Sequence, residues 1–105
     1  MTPHRIRLGP PWEVAEAPGG FRHTRRFGQP RSLRPGEQVW LVVESCPNSA
    51  TAFVNGEGVG TSGEDIPALA VEITSLLRPR NELVIEARTA APPGGVALEI
   101  RLGAE

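Results

Sequence analysis

The stretch QVWLVVESCPNSATAFVNGEGVG, residues 38–60, decides the fold class. Its first seven residues alternate between two sets, as the side chains of a β-strand do when one face is buried. Three members of the alternation are aliphatic and would point into a core: Val39, Leu41 and Val43. Trp40 and Val42 would point outward. The pattern predicts a strand that follows a turn at residues 34–36.

The second half of the stretch predicts a tight β-hairpin. Asn55-Gly56 interrupts a run of strand-forming residues, and this pair best tolerates the positive φ angles of a two-residue hairpin turn. Asn55 either contacts a ligand or simply serves the turn, and the turn is the favoured interpretation. Ala52 and Val54 would share the inner face with Ala50, which leaves Phe53 on the outer face.

Further alternating segments lie on both sides of this stretch. Residues 83–88 and 96–102 alternate towards the C-terminus, and the second segment would bury Val96, Leu98, Ile100 and Leu102. Residues 6–8 and 21–27 are predicted strands near the N-terminus, joined by a loop that contains Trp12. Loops are predicted at residues 61–67 and 90–95, and Thr74 is predicted to cap one helical turn over residues 75–77.

Length and composition agree with these strands. The chain has 105 residues, of which 12 are glycine and 11 are proline, so turns are frequent. A chain of this size fits one compact domain and leaves little room for a large buried active-site cavity. We therefore predict a single all-β domain over residues 1–105, an antiparallel β-sandwich of two sheets.

Charge is distributed unevenly along the chain. Residues 1–36 carry seven arginines and two glutamates, whereas residues 37–105 carry four arginines and ten acidic residues. An arginine-rich segment can bind nucleic acid, but the net charge is −1 and no series of aromatic residues accompanies the arginines. We therefore expect no nucleic-acid partner, and expect arginines to face glutamates across the sheets.

Several other classes of protein do not fit. A single cysteine, Cys46, excludes an internal disulfide, and two histidines do not make the usual zinc patterns. No metal and no cofactor are therefore predicted. No segment is apolar and long enough to span a membrane, and residues 1–20 do not resemble a secretory signal, so a cytoplasmic location without membrane contact is expected.

Several segments together resemble a known family. They are the phenylalanines of residues 21–27, GEQVWLVVE, NSATAFVNGEGVG and VEITSLLRPRNELVIEA, with a looser match over residues 8–12. This order is similar to the N-terminal sugar-binding domain of glycoside hydrolase family 2, which includes β-galactosidases, β-glucuronidases and β-mannosidases. The resemblance covers about residues 21–88 and implies a jelly roll of the galactose-binding-domain type. It also implies a stand-alone domain without catalytic residues, because the catalytic glutamates of that family lie in a separate domain.

Four residues are candidates for ligand contact: Trp12, Arg25, Arg26 and Trp40. The aromatic rings would stack on a sugar, and the guanidinium groups would bind sugar hydroxyls or a carboxylate. The alternative is that the rings only pack and that the arginines pair with Glu44 or Glu86.

Structural roles are predicted for His23 and Cys46. His23 is predicted to be a solvated strand residue, and Cys46 lies in a predicted turn. Trp40, Val42 and Phe53 form a predicted outer patch that would mediate weak self-association or docking to a protein. The expected function is a non-catalytic binding module with carbohydrate as the ligand. The alternative is a structural or protein-interaction module without a sugar site.

Overall fold

The computed structural model of the chain describes residues 4–30, 33–45, 50–62, 68–91 and 93–102. These residues form nine strands and one 3₁₀ turn at Thr74–Leu76. None of the described helical residues belongs to a helix that could cross a membrane. The strands, in chain order, are β1 His4–Arg7, β2 Glu13–Ala17, β3 Gly20–Gly28, β4 Glu37–Ser45, β5 Thr51–Val54, β6 Glu57–Thr61, β7 Leu69–Glu72, β8 Arg80–Ala87 and β9 Gly94–Leu102.

The strands form two antiparallel sheets. The four-stranded sheet has the order β1-β9-β4-β7, and the five-stranded sheet has the order β2-β3-β8-β5-β6. The predicted all-β sandwich of two sheets is therefore confirmed. The predicted strands over residues 83–88 and 96–102 correspond to β8 and β9. They lie in different sheets, and each has a neighbouring strand on both sides.

The core lies between the sheets and is built from alternate residues of both. The predicted inner residues of β4, β5 and β8 are buried, with Val39, Leu41, Val43, Val54 and Leu83 all 0% exposed. Each such aliphatic side chain contributes about 1.5–3 kcal/mol when it is fully buried. The alternation in the sequence thus fixes which face of each strand turns inward.

The predicted hairpin is also present, between β5 and β6. Asn55 has φ 52° and Gly56 has φ 86°, so both turn residues have the positive φ of a type I′ turn. Glycine adopts this conformation without strain, and asparagine tolerates it better than most residues.

One strand differs from the prediction: β2 occupies part of the segment predicted as a loop. Residues Glu13–Ala17 pair with β3 at the edge of the five-stranded sheet, and most of them are exposed. An edge strand without a buried face has no apolar alternation, which is the signal that identifies a half-buried strand. Trp12 lies just before this strand, in the segment that connects the two sheets.

The predicted outer patch does not exist as one surface. Trp40 and Val42 belong to the four-stranded sheet and Phe53 to the five-stranded sheet, so they lie on opposite outer faces. Val42 is also buried, because it lies on a strand flanked on both sides by neighbours. Leu102, predicted to be inside, is 80% exposed because it ends β9 beyond the core.

Two further predictions of side-chain roles were wrong. Thr74 is the first residue of the 3₁₀ turn rather than its cap, and its Oγ1 accepts a hydrogen bond of 2.8 Å from the backbone N–H of Val39. His23 is 0% exposed, and its Nε2 donates to the carbonyl oxygen of Thr89 at 2.8 Å. His23 has the same parity along β3 as Phe27, so it faces the core.

Several predictions fall outside the described residues. These concern the turn at Cys46, the end of the loop at Pro67, and Pro92 in the loop before β9.

Candidate functional site

An open cleft lies where the chain passes from one sheet to the other. Leu8–Trp12 connects β1 to β2, and it forms one side of the cleft together with the end of β1. The end of β4 and the start of β9 form the other side. The volume of this crossover cleft is about 450 Å³. Its lining residues are Arg7, Leu8, Gly9, Pro10, Trp12, Glu44, Pro93, Gly95 and Val96.

The segment Leu8–Trp12 is held in place by both sheets. The backbone N–H of Leu8 donates to the carbonyl oxygen of Val96 in the four-stranded sheet at 2.9 Å. On the other side, Arg25 Nε donates to the carbonyl oxygen of Gly9 at 2.7 Å. Trp12 is partly buried and packs against the core. This segment is therefore fixed at three points although it has no regular secondary structure.

A group of ion pairs supports the cleft wall from the outer face of the four-stranded sheet. Arg5 donates to Glu44 at 2.6 Å and also bonds Glu99, and Arg101 lies 2.7 Å from the other Glu99 oxygen. The hydrogen bonds from Arg101 and Arg5 hold the pKa of Glu99 below the ordinary glutamate value of 4.5. Glu44 is therefore held from one side, while 56% of its side chain remains exposed.

Arg7 is the cation at the cleft itself. It is exposed, and among the described residues it has no carboxylate within ion-pair distance. A guanidinium group has five N–H donors, and Glu44 offers carboxylate oxygens as acceptors. The cleft thus combines hydrogen-bond donors, an acceptor and an indole ring.

The structure places the four predicted contact residues in three different surroundings. Trp12 lines the cleft, and Arg25 holds the cleft segment through Gly9. Arg26 lies on the outer face of the five-stranded sheet, near Glu13 at 3.3 Å and Glu82 at 3.7 Å. Trp40 lies on the outer face of the other sheet.

The surroundings of Trp40 use both its ring and its N–H group. Its Nε1 donates to Gln38 at 3.0 Å, and the Arg101 guanidinium lies 4.5 Å from its ring centre. Cation–π contacts of this kind contribute about 0.5–1 kcal/mol at exposed sites. A ligand would have to displace Arg101 to stack on this face of the ring.

Arg7, Glu44 and Gly95 were not predicted as site residues. They belong to three strands that are distant in sequence, and only the pairing of β1 and β4 with β9 brings them together. No local motif marks such a site. The predicted pairing of arginines with glutamates is correct in kind, but the partners differ: Glu86 pairs with Arg22 and Glu44 with Arg5.

The other candidate position, Asn55, belongs to a hydrogen-bonded group that we call the asparagine corner. Asn55 Nδ2 donates to the carbonyl oxygen of Leu76 at 2.9 Å and to Asn81 Oδ1 at 3.0 Å. Its Oδ1 accepts from the N–H of Glu82 at 2.9 Å. All polar atoms of the side chain have protein partners, which supports a structural role.

Asn81 completes this corner from β8. It is 3% exposed, its Nδ2 donates to the carbonyl oxygens of Arg78 and Phe27, and its Oδ1 accepts from the N–H of Arg78 at 2.8 Å. The two asparagines therefore connect β3, β5, β8 and the 3₁₀ turn. Among the described residues, no three His, Cys, Asp or Glu side chains form a group that could hold a metal ion.

Comparison with known proteins gives structural relatives only. No protein family and no curated protein matches the sequence. The FMN-binding β-glucuronidase of Faecalibacterium prausnitzii L2-6 superposes with a TM-score of 0.75 at 20% identity, over 93% of this chain and 22% of that one.

Two further glycosidases show the same relation. A putative β-galactosidase of Bacteroides fragilis has a TM-score of 0.62 at 24% identity, covering 90% of this chain and 16% of its own. A β-glucuronidase of Ruminococcus gnavus has a TM-score of 0.62 at 16% identity, and the match covers 80% of this chain and 20% of the glucuronidase. The chain thus spans about a fifth of these proteins. It has the fold of one portion of these glycosidases, which confirms at the level of fold the resemblance to glycoside hydrolase family 2.

Proposed function

We propose that this chain is a non-catalytic module that binds carbohydrate in the crossover cleft. The observation that carries the proposal is the meeting of Trp12, Arg7 and Glu44 at one open cleft. The glycosidases that share the fold support a carbohydrate ligand, although the chain corresponds to only a fifth of their length.

The chemistry of the cleft suits a sugar ring. Sugar hydroxyls both donate and accept hydrogen bonds, so the guanidinium of Arg7 and the carboxylate of Glu44 offer complementary partners. The indole of Trp12 offers an apolar surface for the C–H groups of the ring. The cleft volume, about 450 Å³, lies within the usual range of small-molecule sites.

The described lining of the cleft does not contain the pair of carboxyl groups that hydrolysis uses. Glycosidases generally use two carboxyl groups, one of which must hold a proton as the general acid. Glu44 is the one acidic residue among the described lining residues of the cleft. The nearest other carboxylate in its ion-pair group, Glu99, has a lowered pKa and so does not serve as a general acid. Binding without catalysis is the role that these residues support.

The two tryptophans allow a direct test. The chain contains no tyrosine, so its fluorescence above the phenylalanine range comes from Trp12 and Trp40 alone. In the Trp40→Phe variant, a sugar in the crossover cleft should change the emission of Trp12. The affinity from titration calorimetry should equal the affinity from this change in emission. The Trp12→Phe variant should show no change in the emission of Trp40.

A second pair of variants tests the polar contacts. Arg7→Ala should weaken binding about five- to tenfold, because it removes a charge-assisted hydrogen bond. The matched control is Arg34→Ala, which alters an exposed arginine outside the cleft. The absence of binding heat with millimolar monosaccharides and with common polysaccharides would remove the carbohydrate proposal.

The alternative function is a protein-interaction module without a sugar site. The observation that favours it is the outer face of the five-stranded sheet, where charged side chains surround Val84 and Phe53. The two functions are measured independently: light scattering reports the association of chains, and titration calorimetry reports the binding of sugar.

A further inference from the structure

The outer face of the five-stranded sheet carries opposite charges in two neighbouring columns. Arg22 and Arg26 stand on β3, and Glu86 and Glu82 stand directly beside them on β8. Between these two rungs, Thr24 of β3 is paired with Val84 of β8. We call this surface the two-column face.

The columns are accessible to a partner. The residues between them in sequence, such as His23 and Leu83, are buried, so the charged side chains point away from the core. Arg22 lies 2.9 Å from Glu86, and Arg26 lies 3.7 Å from Glu82. Between 39% and 68% of each of these side chains is exposed. Each rung is therefore an ion pair with free hydrogen-bonding capacity on its outer side.

The centre of the two-column face is apolar and slightly concave. Phe53 of β5 is paired with Val84, and the neighbouring Gly58 has no side chain to cover the ring. A depression of about 290 Å³ lies above these residues and is bordered by Arg22, Glu82 and Glu86. A partner would thus meet an apolar centre with charged groups on either side.

The charge pattern is complementary to itself under one particular symmetry. When two copies stack face to face about a two-fold axis that runs parallel to the strands between β3 and β8, each β3 lies opposite the partner's β8. Arg22 then faces a second Glu86, and Arg26 faces a second Glu82. An axis perpendicular to the strands would instead place Arg22 against a second Arg26, which is repulsive.

We propose that the two-column face binds a second copy of this chain in this orientation, which goes beyond the carbohydrate function and does not depend on it. Two-fold dimers require such a self-complementary patch. Packing of two sheets with nearly aligned strands is a common arrangement in proteins. At the rung of Arg22 and Glu86, the small Ala15 of β2 comes opposite Thr51 of β5, which leaves space for close approach.

The association should be weak and sensitive to salt. Exposed ion pairs contribute little each, and the charges of this face are screened beyond about 8 Å at physiological ionic strength. Sedimentation velocity should therefore show a rising mean mass from micromolar to millimolar protein at low salt, and a lower mean mass after addition of sodium chloride. A wild-type chain that stays monomeric at millimolar concentration and low salt would overturn the proposal.

Charge reversal identifies the surface. Arg22→Glu combined with Arg26→Glu makes both columns acidic at the two rungs, and Glu82→Arg combined with Glu86→Arg makes both columns basic there. Each double variant should lose at least about tenfold in self-association, and a mixture of the two should recover it. Arg34→Glu combined with Arg78→Glu has the same net charge as the acidic variant but should still associate with itself.

A variant with all four substitutions shows whether the double variants lose association for a reason other than loss of folding. The variant that carries all four reversals keeps the two ion pairs between the columns, because the columns have changed places, and it loses the pair of Arg26 with Glu13. It should associate with itself but not with the wild-type chain, since arginine would then face arginine. Equal association of this variant with itself and with the wild type would show that the chains do not associate in the proposed orientation.

Discussion

The asparagine corner and the crossover cleft differ in how their polar groups are used. In the corner, Asn55 and Asn81 bond to each other and to the backbone of three elements, and their polar atoms have protein partners. In the cleft, Arg7 has no carboxylate partner among the described residues, and Glu44 forms an ion pair with one arginine, Arg5. A group whose hydrogen bonds are complete serves the fold, whereas a group with free capacity is available to a ligand.

The largest expected effect comes from Asn81→Ala. The change removes the hydrogen bonds of a side chain that is 3% exposed, including those to the backbone N–H and C=O of Arg78, and opens a cavity. Unsatisfied buried groups cost about 1–3 kcal/mol each, so we expect the free energy of unfolding to fall by about 3 kcal/mol. Chemical denaturation followed by circular dichroism measures this loss.

The variant Asn81→Asp provides the graded comparison, because it keeps the acceptor and removes the donors. Its loss of stability should be smaller than that of Asn81→Ala, after correction for the new charge by measurement at several salt concentrations. Equal stability of Asn81→Ala and the wild type would contradict the structural role of the corner.

At Asn55, two variants separate the turn from the hydrogen bonds. Asn55→Gly keeps the positive φ of the turn but removes three hydrogen bonds, and should cost about 1–2 kcal/mol. Asn55→Ala also strains the backbone and should cost about 1 kcal/mol more. If the two variants have the same denaturation midpoint, the positive φ contributes nothing measurable.

At the cleft, we expect an effect on binding as well as an effect on stability. Arg25→Met keeps the aliphatic chain but removes the bond to Gly9, so it should cost about 1 kcal/mol of stability and free the segment Leu8–Trp12. Sugar affinity should fall about three- to tenfold, although Arg25 does not line the cleft. A matched control is Arg26→Met, which changes the neighbouring arginine on the outer face.

The smallest expected effect is a change in stability with pH that occurs only in acid. Because the pKa of Glu99 is lowered in the folded chain, its ion pairs stabilise the fold above the ordinary value of 4.5, and this contribution is lost as the pH falls through the folded pKa. Glu99→Gln should therefore be less stable than the wild type at neutral pH, and the difference should shrink below pH 4.5. A constant difference across that range would show that the carboxylate charge is not responsible.

The sequence predicted the turn at Asn55-Gly56 but neither its bonds to Asn81 nor the cleft, for a physical reason. The positive φ of Asn55 and Gly56 is a local requirement of a two-residue turn, so neighbouring residues suffice to identify it. The alternation of Val39, Leu41 and Val43 is likewise local, and it identified the faces of the strand.

The features that were missed depend on the tertiary structure. Arg7, Glu44 and Gly95 meet only because β1 and β4 flank β9. His23 is buried because its strand parity faces the core, and no partner close in sequence predicts its bond to Thr89. The edge strand β2 lacks a buried face, so its residues carry no alternation to detect.

The pairing of β1 with β9 has a consequence for folding kinetics. All strands of the five-stranded sheet lie between residues 13 and 87, so this sheet can assemble without residues 94–102. The first strand, His4–Arg7, pairs only with β9, and its register places His4 beside Ile100. Such distant pairings form slowly. The crossover cleft, which needs Gly95 as well as Arg7, is therefore expected to be among the last parts of the chain to fold.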